Sequence, residues 1–387
     1  MSFEQLTLFE QPNVGNLVLE SSVQKDEFTD EISNKFDFIF DGKTKTIISI
    51  PDFPKDFQIG LIIGSSGSGK SSLLRKCFGC EEQIEWDNDK AIISNFDSAQ
   101  DGIELLCAVG LASIPNWCRP YKVLSTGEKF RADVARKLHD NSVIDEFTSV
   151  VNRETAKSCS YSIQKYIRKK GLKNIVFASC HDDIASYLMP DWIYNTDTTQ
   201  FYNGRYLQHE PIRIDIHGCS SQQWDMFKKH HYLSGDLNKA SSCYIAEINN
   251  YPVAFVASLS FPFGGAKHAW REHRLVVLPD FQGIGIGNAV SEAVAQGYLE
   301  KGIQYFSKTA NPRCGEHRDH SPLWKPTSHN HSARHEYIKD GKARITGKYS
   351  MSEEKQMIHA RRLCYSHQYI GDGTVFPFTY KGKTDIE

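Results

Sequence analysis

The sequence predicts an α/β protein in two consecutive domains, the first on a mostly parallel sheet with helices, the second on a mixed one. Three observations carry that expectation. The apolar run Ile59–Ile63 leads through Gly64-Ser65-Ser66-Gly67-Ser68-Gly69-Lys70-Ser71 into the helix-forming Ser72-Leu73-Leu74-Arg75-Lys76. The same strand, glycine loop and helix order recurs at Arg274–Val277, Gln282–Gly287 and Asn288–Leu299. Around the first, apolar runs of strand length alternate with runs of helix length, as expected of strands joined by helical crossovers, and after about Gln208 the character changes. At 387 residues the chain is also too long for one ordinary domain.

Taken in order, residues 1–30 are polar and acidic with little periodicity and read as a mobile tail. Strands are expected at Phe36–Phe40, Thr44–Ile50, Ile59–Ile63 and Ala91–Phe96, then a helix at Asp101–Val109. Pro115, Trp117 and Pro120 mark a loop. A helix at Glu128–Leu138, a short strand at Ser142–Ile144, a helix at Arg153–Lys169 and a buried strand at Ile175–Ala178 complete a first domain over 31–207. The second domain, 208–387, opens with a helix at Trp224–His231. A strand pair, Cys243–Ile248 and Val253–Leu259, follows around Asn249-Asn250-Tyr251-Pro252, and a last strand is expected at Gln304–Lys308.

Composition excludes some classes. Net charge is −2, which gives no global field toward nucleic acid or membrane, although the stretch from Arg313 to Arg362 is rich in Arg, Lys and His. The ten cysteines are scattered, and the pair Cys77 and Cys80 has no second pair to complete a metal site, so structural thiols in a reducing compartment are expected. No apolar run approaches membrane-spanning length, and Met1-Ser2-Phe3-Glu4 lacks the basic start of a signal peptide. The expectation is a cytoplasmic protein with no membrane partner.

The first glycine loop has the G-x-x-x-x-G-K-S form of a phosphate-binding loop. Amides of Gly64, Ser65, Gly67, Ser68, Gly69 and Ser72 would surround the phosphates at a helix N-terminus, with Lys70 neutralising charge and the Ser71 hydroxyl on Mg²⁺. Three segments follow: Leu124-Ser125-Thr126-Gly127-Glu128 before a helix, Ser142-Val143-Ile144-Asp145-Glu146 ending in two carboxylates, and Ala178-Ser179-Cys180-His181-Asp182. Singly, Asp145-Glu146 also reads as a helix-capping pair and His181 as a surface residue. In this order, over about residues 35–200, they resemble the ATP-binding cassette family. The resemblance implies ATP as ligand, Asp145 on Mg²⁺, Glu146 polarising the attacking water and His181 reaching the γ-phosphate. It also implies a head-to-tail homodimer in which Ser125, Gly127 and Glu128 serve a nucleotide held by the partner. Thr126 replaces a signature glycine, the helical insertion is short, and Gln100 is a poor match for the family's glutamine loop. The short insertion, the poor glutamine-loop match and the absence of membrane-length apolar runs suit a non-transport ATPase. Phe36, Phe38 and Phe40 are candidates to stack on adenine, or ordinary core residues.

The second loop, Gln282-Gly283-Ile284-Gly285-Ile286-Gly287, follows Val-Val-Leu-Pro-Asp-Phe and resembles motif A, Q/R-x-x-G-x-G/A, of the GNAT N-acetyltransferases. That resemblance, over about residues 212–310, implies acetyl-CoA or another acyl-CoA, with its pyrophosphate on these six residues and its pantetheine arm along the strand ending at Val277. His273 or Glu272 is the candidate base, and Tyr305 or Tyr365 the candidate acid; no spacing selects between them. His317, His320, His329, His331 and His335, with Cys314, would either ligate a metal or line a polar surface. Arg313, Arg318, Lys325 and Arg334 beside Trp324 and Tyr337 suit a nucleic-acid face. The whole resembles a phage and prokaryotic family in which an ABC-type ATPase is fused to a predicted acetyltransferase. The segments Lys229–Ser234 and Arg362–Gly371 resemble its Mom-like relatives, which modify adenine in phage DNA. Two alternatives to ATP-gated acyl transfer stay open: DNA-base modification with the ATPase as a clamp, and an ATP switch carrying an inactive recognition module.

Overall fold

The computed structural model describes residues 8–9, 13–36, 39–204, 211–231, 236–262, 268–333, 338–339, 342–343 and 362–372. The chain divides into two units, Met1–Glu210 and Pro211–Glu387. Both are mixed α/β.

The first unit runs β1 (Leu8–Phe9), β2 (Asn13–Ser22), α1 (Glu27–Phe36), β3 (Lys43–Pro51), β4 (Ile59–Ile63), α2 (Lys70–Phe78), α3 (Ala99–Ala108), α4 (Ile114–Trp117), α5 (Thr126–Lys137), β5 (Val143–Ile144), α6 (Arg153–Lys170), β6 (Ile175–Ser179), α7 (Ala185–Leu188), β7 (Trp192–Asn195) and β8 (Gln200–Asn203). Its sheet has the order β1-β8-β7-β4-β6-β5. β4 is parallel to β6 and β7, and β5 is parallel to β6; β8 and β1 form an antiparallel edge. Every residue of β4 and β6 is buried, which is why both are unbroken apolar runs: helices cover both faces of a parallel strand. α6 places Ala156, Cys159, Ile163 and Ile167 on one buried stripe, starts at an Asn152 cap and stops at Gly171 in the left-handed region.

Three expectations fail here. Part of the supposed tail is β2, paired with β3 from Asn13↔Pro51 to Ser22↔Lys43 in a separate two-stranded ribbon. The strand expected to begin at Phe36 is the end of α1; residues 37–38 lie outside the described residues. Asp26 nucleates that helix, its Oδ1 accepting from the Thr29 amide at 2.9 Å while Thr29 Oγ1 accepts from the Asp26 amide at 2.9 Å. Ala91–Phe96 holds a 3-10 turn, Ile92–Asn95, because Asn95 gives its Nδ2 to the Ala91 carbonyl (3.0 Å) and accepts the Asp87 amide (2.8 Å).

The second unit runs β9 (Asp215–Cys219), α8 (Trp224–Phe227), β10 (Ser242–Ile248), β11 (Tyr251–Ser260), β12 (Ala269–Val277), α9 (Ile286–Glu300), β13 (Gln304–Thr309), α10 (Pro312–His320), β14 (Trp324–Pro326), β15 (Ile338–Lys339), β16 (Lys342–Ala343) and β17 (Tyr365–Tyr369). β15 and β16 pair only with each other; the remaining strands form one sheet, β14-β17-β13-β12-β11-β10-β9. The helix expected at Trp224–His231 stops at Phe227 and continues as a 3-10 turn, Lys228–His230. Val290, Val294 and Tyr298 of α9 join Tyr244, Val256 and Tyr305 of the sheet in the core. The only parallel pairing in this sheet among the described residues is β12 with β13, and it covers just Ala269↔Gln304, Trp270↔Tyr305 and Arg271↔Phe306. Past these residues the two strands run on unpaired to each other, so the sheet splits on the side of their C-terminal ends.

Candidate functional site

Each unit carries a glycine loop between a strand and a helix, and each is described by itself.

In the first unit the loop leaves β4 at Gly64, whose φ is +153°. A Cβ there would lie 2.1 Å from Thr196 Oγ1 and 2.7 Å from Ser68 Oγ, so only glycine fits. Lys70 opens α2 and its Nζ donates to the carbonyls of Gly64 (2.8 Å) and Ser65 (2.6 Å). The parallel register sets Ile63 beside Ser179 and Phe177 beside Ile144. The C-terminal ends of β4, β6 and β5 therefore share one edge, which carries the loop, His181 and the Asp145-Glu146 pair. Glu146 is exposed with φ +47°, an uncommon conformation for a non-glycine residue, and its amide donates to Asp145 Oδ1 at 2.8 Å. His181 Nδ1 lies 3.1 Å from Thr148 Oγ1, and its amide donates to Ser179 Oγ at 3.0 Å. Burial and the nearby Arg153 push the His181 pKa down, leaving it neutral at pH 7. Ser71 and Asp145 offer a hydroxyl and a carboxylate, the hard oxygen set that Mg²⁺ takes.

Ser125 caps α5 in a reciprocal box: Glu128 Oε2 accepts from the Ser125 amide at 2.9 Å, and Asn116 Nδ2 donates to Glu128 Oε1 at 2.6 Å. Gly127 lies against Val151, where a Cβ would still find 3.4 Å. Of the adenine candidates, Phe36 is exposed on α1, Phe40 is half-buried, and Phe38 lies outside the described residues.

In the second unit, β12 runs through a 3-10 turn, Pro279–Phe281, into Gln282–Gly285. Gln282 Nε2 donates to the Val277 carbonyl at 2.9 Å, folding the loop back on its strand. Gly285 caps α9 at φ +96° with nothing within 4 Å of where a Cβ would sit, so the helix start faces open space. That open start, with the left-handed turn before it, fits a diphosphate. Ile286 is buried and Gly287 lies against Val277, where a Cβ would meet Cγ2 at 3.3 Å.

The base and acid candidates separate clearly. β11 and β12 slip register so that Ala257 faces Arg274 and Ser258 faces Glu272, leaving His273 as the extra residue of a bulge. Bulges re-aim side chains. His273 Nε2 accepts from the Asn238 amide at 3.4 Å, and burial, Arg274, Arg271 and His231 push its pKa down to about 4. Glu272, by contrast, is consumed by structure. It takes Ser291 Oγ at 2.5 Å, Ser307 Oγ at 3.2 Å and Arg318 Nη2 at 3.1 and 3.2 Å. Tyr305 is fully buried with its hydroxyl 2.8 Å from Ser258 Oγ and cannot meet a substrate. Tyr365 is nearly buried in β17, against His331 at 4.9 Å between ring centroids. Burial, Glu316 and Asp319 raise its pKa.

The histidine-rich stretch is mostly internal bonding. Asp319 binds Asn330 Nδ2 (2.8 Å), His367 Nε2 (2.8 Å) and His331 Nε2 (2.9 Å), and His317 pairs with Glu292 at 3.0 Å. Among the described residues no group of three His, Cys, Asp or Glu side chains is placed to hold a metal. Arg318 and Trp324 are buried, with the guanidinium 4.6 Å from the ring centroid, so neither forms a nucleic-acid face. Arg334, His335, Tyr337 and the segment 232–234 lie outside the described residues. Sequence reasoning missed Thr148, Asn116, Thr196 and Asp197. The first two belong to no motif, and the last two sit in a turn about 130 residues beyond the loop they touch.

Residues 205–318 match the Acetyltransferase (GNAT) family. No curated protein matches the chain. Among solved structures, the ribosomal-protein-S18-alanine N-acetyltransferase from Escherichia coli aligns at 12% identity over 42% of this chain and 100% of its own, with TM-score 0.29. A Bacillus subtilis acetyltransferase in complex with CoA aligns at 12% identity over 41% of this chain and 98% of its own, TM-score 0.25. The ATP-binding cassette MJ0796, a dimer bound to ADP and Pi, aligns at 14% identity over 51% of this chain and 99% of its own, TM-score 0.31. No described helix is long and apolar enough to cross a membrane.

Proposed function

We propose that the chain is a non-transport ABC-type ATPase joined to a GNAT-like, acyl-CoA-dependent N-acyltransferase, in which ATP closes a head-to-tail dimer and so gates transfer. The observation that carries the first half is the shared edge of β4, β5 and β6. That edge carries the glycine loop, the carboxylate pair and the histidine together, which supports a reading in which one triphosphate would meet all three. The loop amides other than that of Ser65, which donates to Asp197 at 2.7 Å, would cradle the phosphates, with Lys70 beside them. Ser71 and Asp145 would hold Mg²⁺, which neutralises phosphate charge. Glu146 would orient water, and Ser125, Gly127 and Glu128 would face the partner's nucleotide.

The split between β12 and β13 and the open start of α9 support the second half. A CoA diphosphate would sit on Gln282–Gly287 and its arm along β12 toward the His273 bulge. His273, neutral, would accept a hydrogen bond from the acceptor amine and orient it, its depressed pKa leaving it a weak proton acceptor. The amine nitrogen would then attack the thioester carbonyl, the C–S bond would break, and the leaving sulfur would take a proton from Tyr365. Arg318 and Trp324 lie inside the fold, which leaves Arg313 and Lys325 as the exposed described cations of the DNA-modifying alternative.

Glu146→Gln should lower ATP turnover by about 10²–10⁴-fold and leave ATP binding intact. The variant should run as a dimer with ATP and a monomer without it on size exclusion; a monomer in both conditions rejects the composite site. A second expectation concerns pH. Because the His273 pKa falls from 6.5 to about 4 in the fold, stability gained above pH 6.5 is lost as pH falls toward 4, by at most about 3 kcal/mol. Chemical denaturation at pH 7 and pH 4.5 should show a steeper acid loss in the wild type than in His273→Gln. Equal losses would place His273 in water.

A further inference from the structure

We infer that the turn between β7 and β8, through Thr196 and Asp197, sets the shape of the nucleotide loop, making Asp197 a positioning residue for ATP. The inference rests on the ATPase reading and adds to it a control that no loop motif contains. The turn grips the loop at three points. Thr196 is tied to the end of β4, its amide donating to the Ile63 carbonyl at 2.9 Å and its Oγ1 to the same oxygen at 3.1 Å. That hydroxyl also lies 2.6 Å from Ser68 Oγ, in the middle of the loop. Asp197 then takes both donors of Ser65: the amide to Oδ2 at 2.7 Å and the hydroxyl to Oδ1 at 2.8 Å. The turn is itself pre-set, because Asn195 Oδ1 accepts the amides of Asp197 (2.9 Å) and Thr198 (3.3 Å).

These contacts constrain the residues at which the chain must leave the strand and curl. Gly64 has no side chain, so the contacts of Ser65 and Ser68 are what fix its direction; Lys70 adds a third constraint through the Gly64 and Ser65 carbonyls. A loop that must point successive amides at a phosphate loses affinity when its free form wanders, since the ordering then falls on the binding step. A carboxylate beside a phosphate loop would act in the opposite sense if its charge dominated, repelling ATP. The two effects are separable: alanine removes both hydrogen bonds and the charge, whereas asparagine removes the charge and keeps one acceptor oxygen.

The test is ATP affinity of the full chain by calorimetry. Asp197→Ala should weaken ATP binding about tenfold, the loss of charge-assisted hydrogen bonds, and Asp197→Asn should recover to within about threefold of the unchanged chain. Ser65→Ala, which removes one of the two bonds and keeps the carboxylate, should weaken binding about threefold and serves if Asp197→Ala does not fold. Affinity in Asp197→Ala equal to or tighter than in the unchanged chain overturns the inference, as does an Asp197→Asn variant no better than alanine. In either case ATP binding by the unchanged chain keeps the ATPase reading in place. Absence of ATP binding in the unchanged chain overturns that reading and the inference together.

Discussion

Lys70→Ala should weaken ATP binding by about 10²–10⁴-fold without unfolding the first unit. The ammonium makes two short bonds to loop carbonyls, Gly64 at 2.8 Å and Ser65 at 2.6 Å, so it lies within the loop rather than out in solvent. With ATP bound the ammonium would exchange these carbonyls for phosphate oxygens, and two charge-assisted hydrogen bonds to phosphate at about 1.5–3 kcal/mol each correspond to that range in affinity. The fold should survive because the core beneath the loop, Ile59, Leu61, Ile62, Leu73 and Leu74, does not include the lysine. Calorimetric titration with ATP measures the loss, and circular dichroism with a melting curve checks the fold. An affinity within threefold of the wild type would mean that the loop holds no triphosphate.

Glu272→Ala should cost the second unit about 3–5 kcal/mol, the penalty for stranding a buried charge. Arg318 is 1% exposed, and Glu272 is the carboxylate facing its guanidinium. The remaining hydrogen-bond partners, Ser291 and Ser307, are neutral hydroxyls, and the Trp324 ring 4.6 Å away is neutral too, so none of them balances the charge. At about 2–4 °C per kcal/mol for a unit of this size, the melting temperature should fall by about 6–20 °C. Replacing both partners at once, Glu272→Gln with Arg318→Met, should restore much of that, because the cost lies in the unpaired charge rather than in the lost pair. A fall below about 1 kcal/mol in Glu272→Ala would show that water reaches Arg318. It would also reopen Glu272 as a catalytic base, a role the network otherwise denies it.

The parts legible in the sequence were those fixed by local chemistry. The β4 and β6 runs are apolar on both faces, and Gly64-to-Ser71 and Gln282-to-Gly287 each stand between a strand and a helix. Long-range contacts left little trace. β2 (Asn13–Ser22) has exposed positions that mix Val14 and Val18 with Asn16 and Glu20, and its partner β3 lies past an intervening helix, so the strand leaves no clear alternation to read. The bulge at His273 comes from a register slip against Ala257 and Ser258, which no pattern within β12 encodes. Glu272 reads as a candidate base from its place before the glycine loop, and nothing near it signals the pairing with Arg318, 46 positions later. In the same way, of the Arg, Lys and aromatic residues from Arg313 on that suggest a nucleic-acid surface, Arg318 and Trp324 face inward while Arg313 and Lys325 are exposed. Composition carries no information about which side of a helix is covered.

The central claim is that one polypeptide contains two independent cradles, one for a triphosphate and one for a coenzyme diphosphate. The most direct measurement is a paired calorimetric titration of the full chain with ATP and with acetyl-CoA, in the wild type, Lys70→Ala and Gly285→Val. The wild type should bind one of each per chain, Lys70→Ala should lose only ATP, and Gly285→Val should lose only acetyl-CoA. The valine is β-branched at φ +96° and points into the open space before α9. Failure of the wild type to bind either ligand, or loss of both from one substitution in a folded chain, would contradict the two-cradle account.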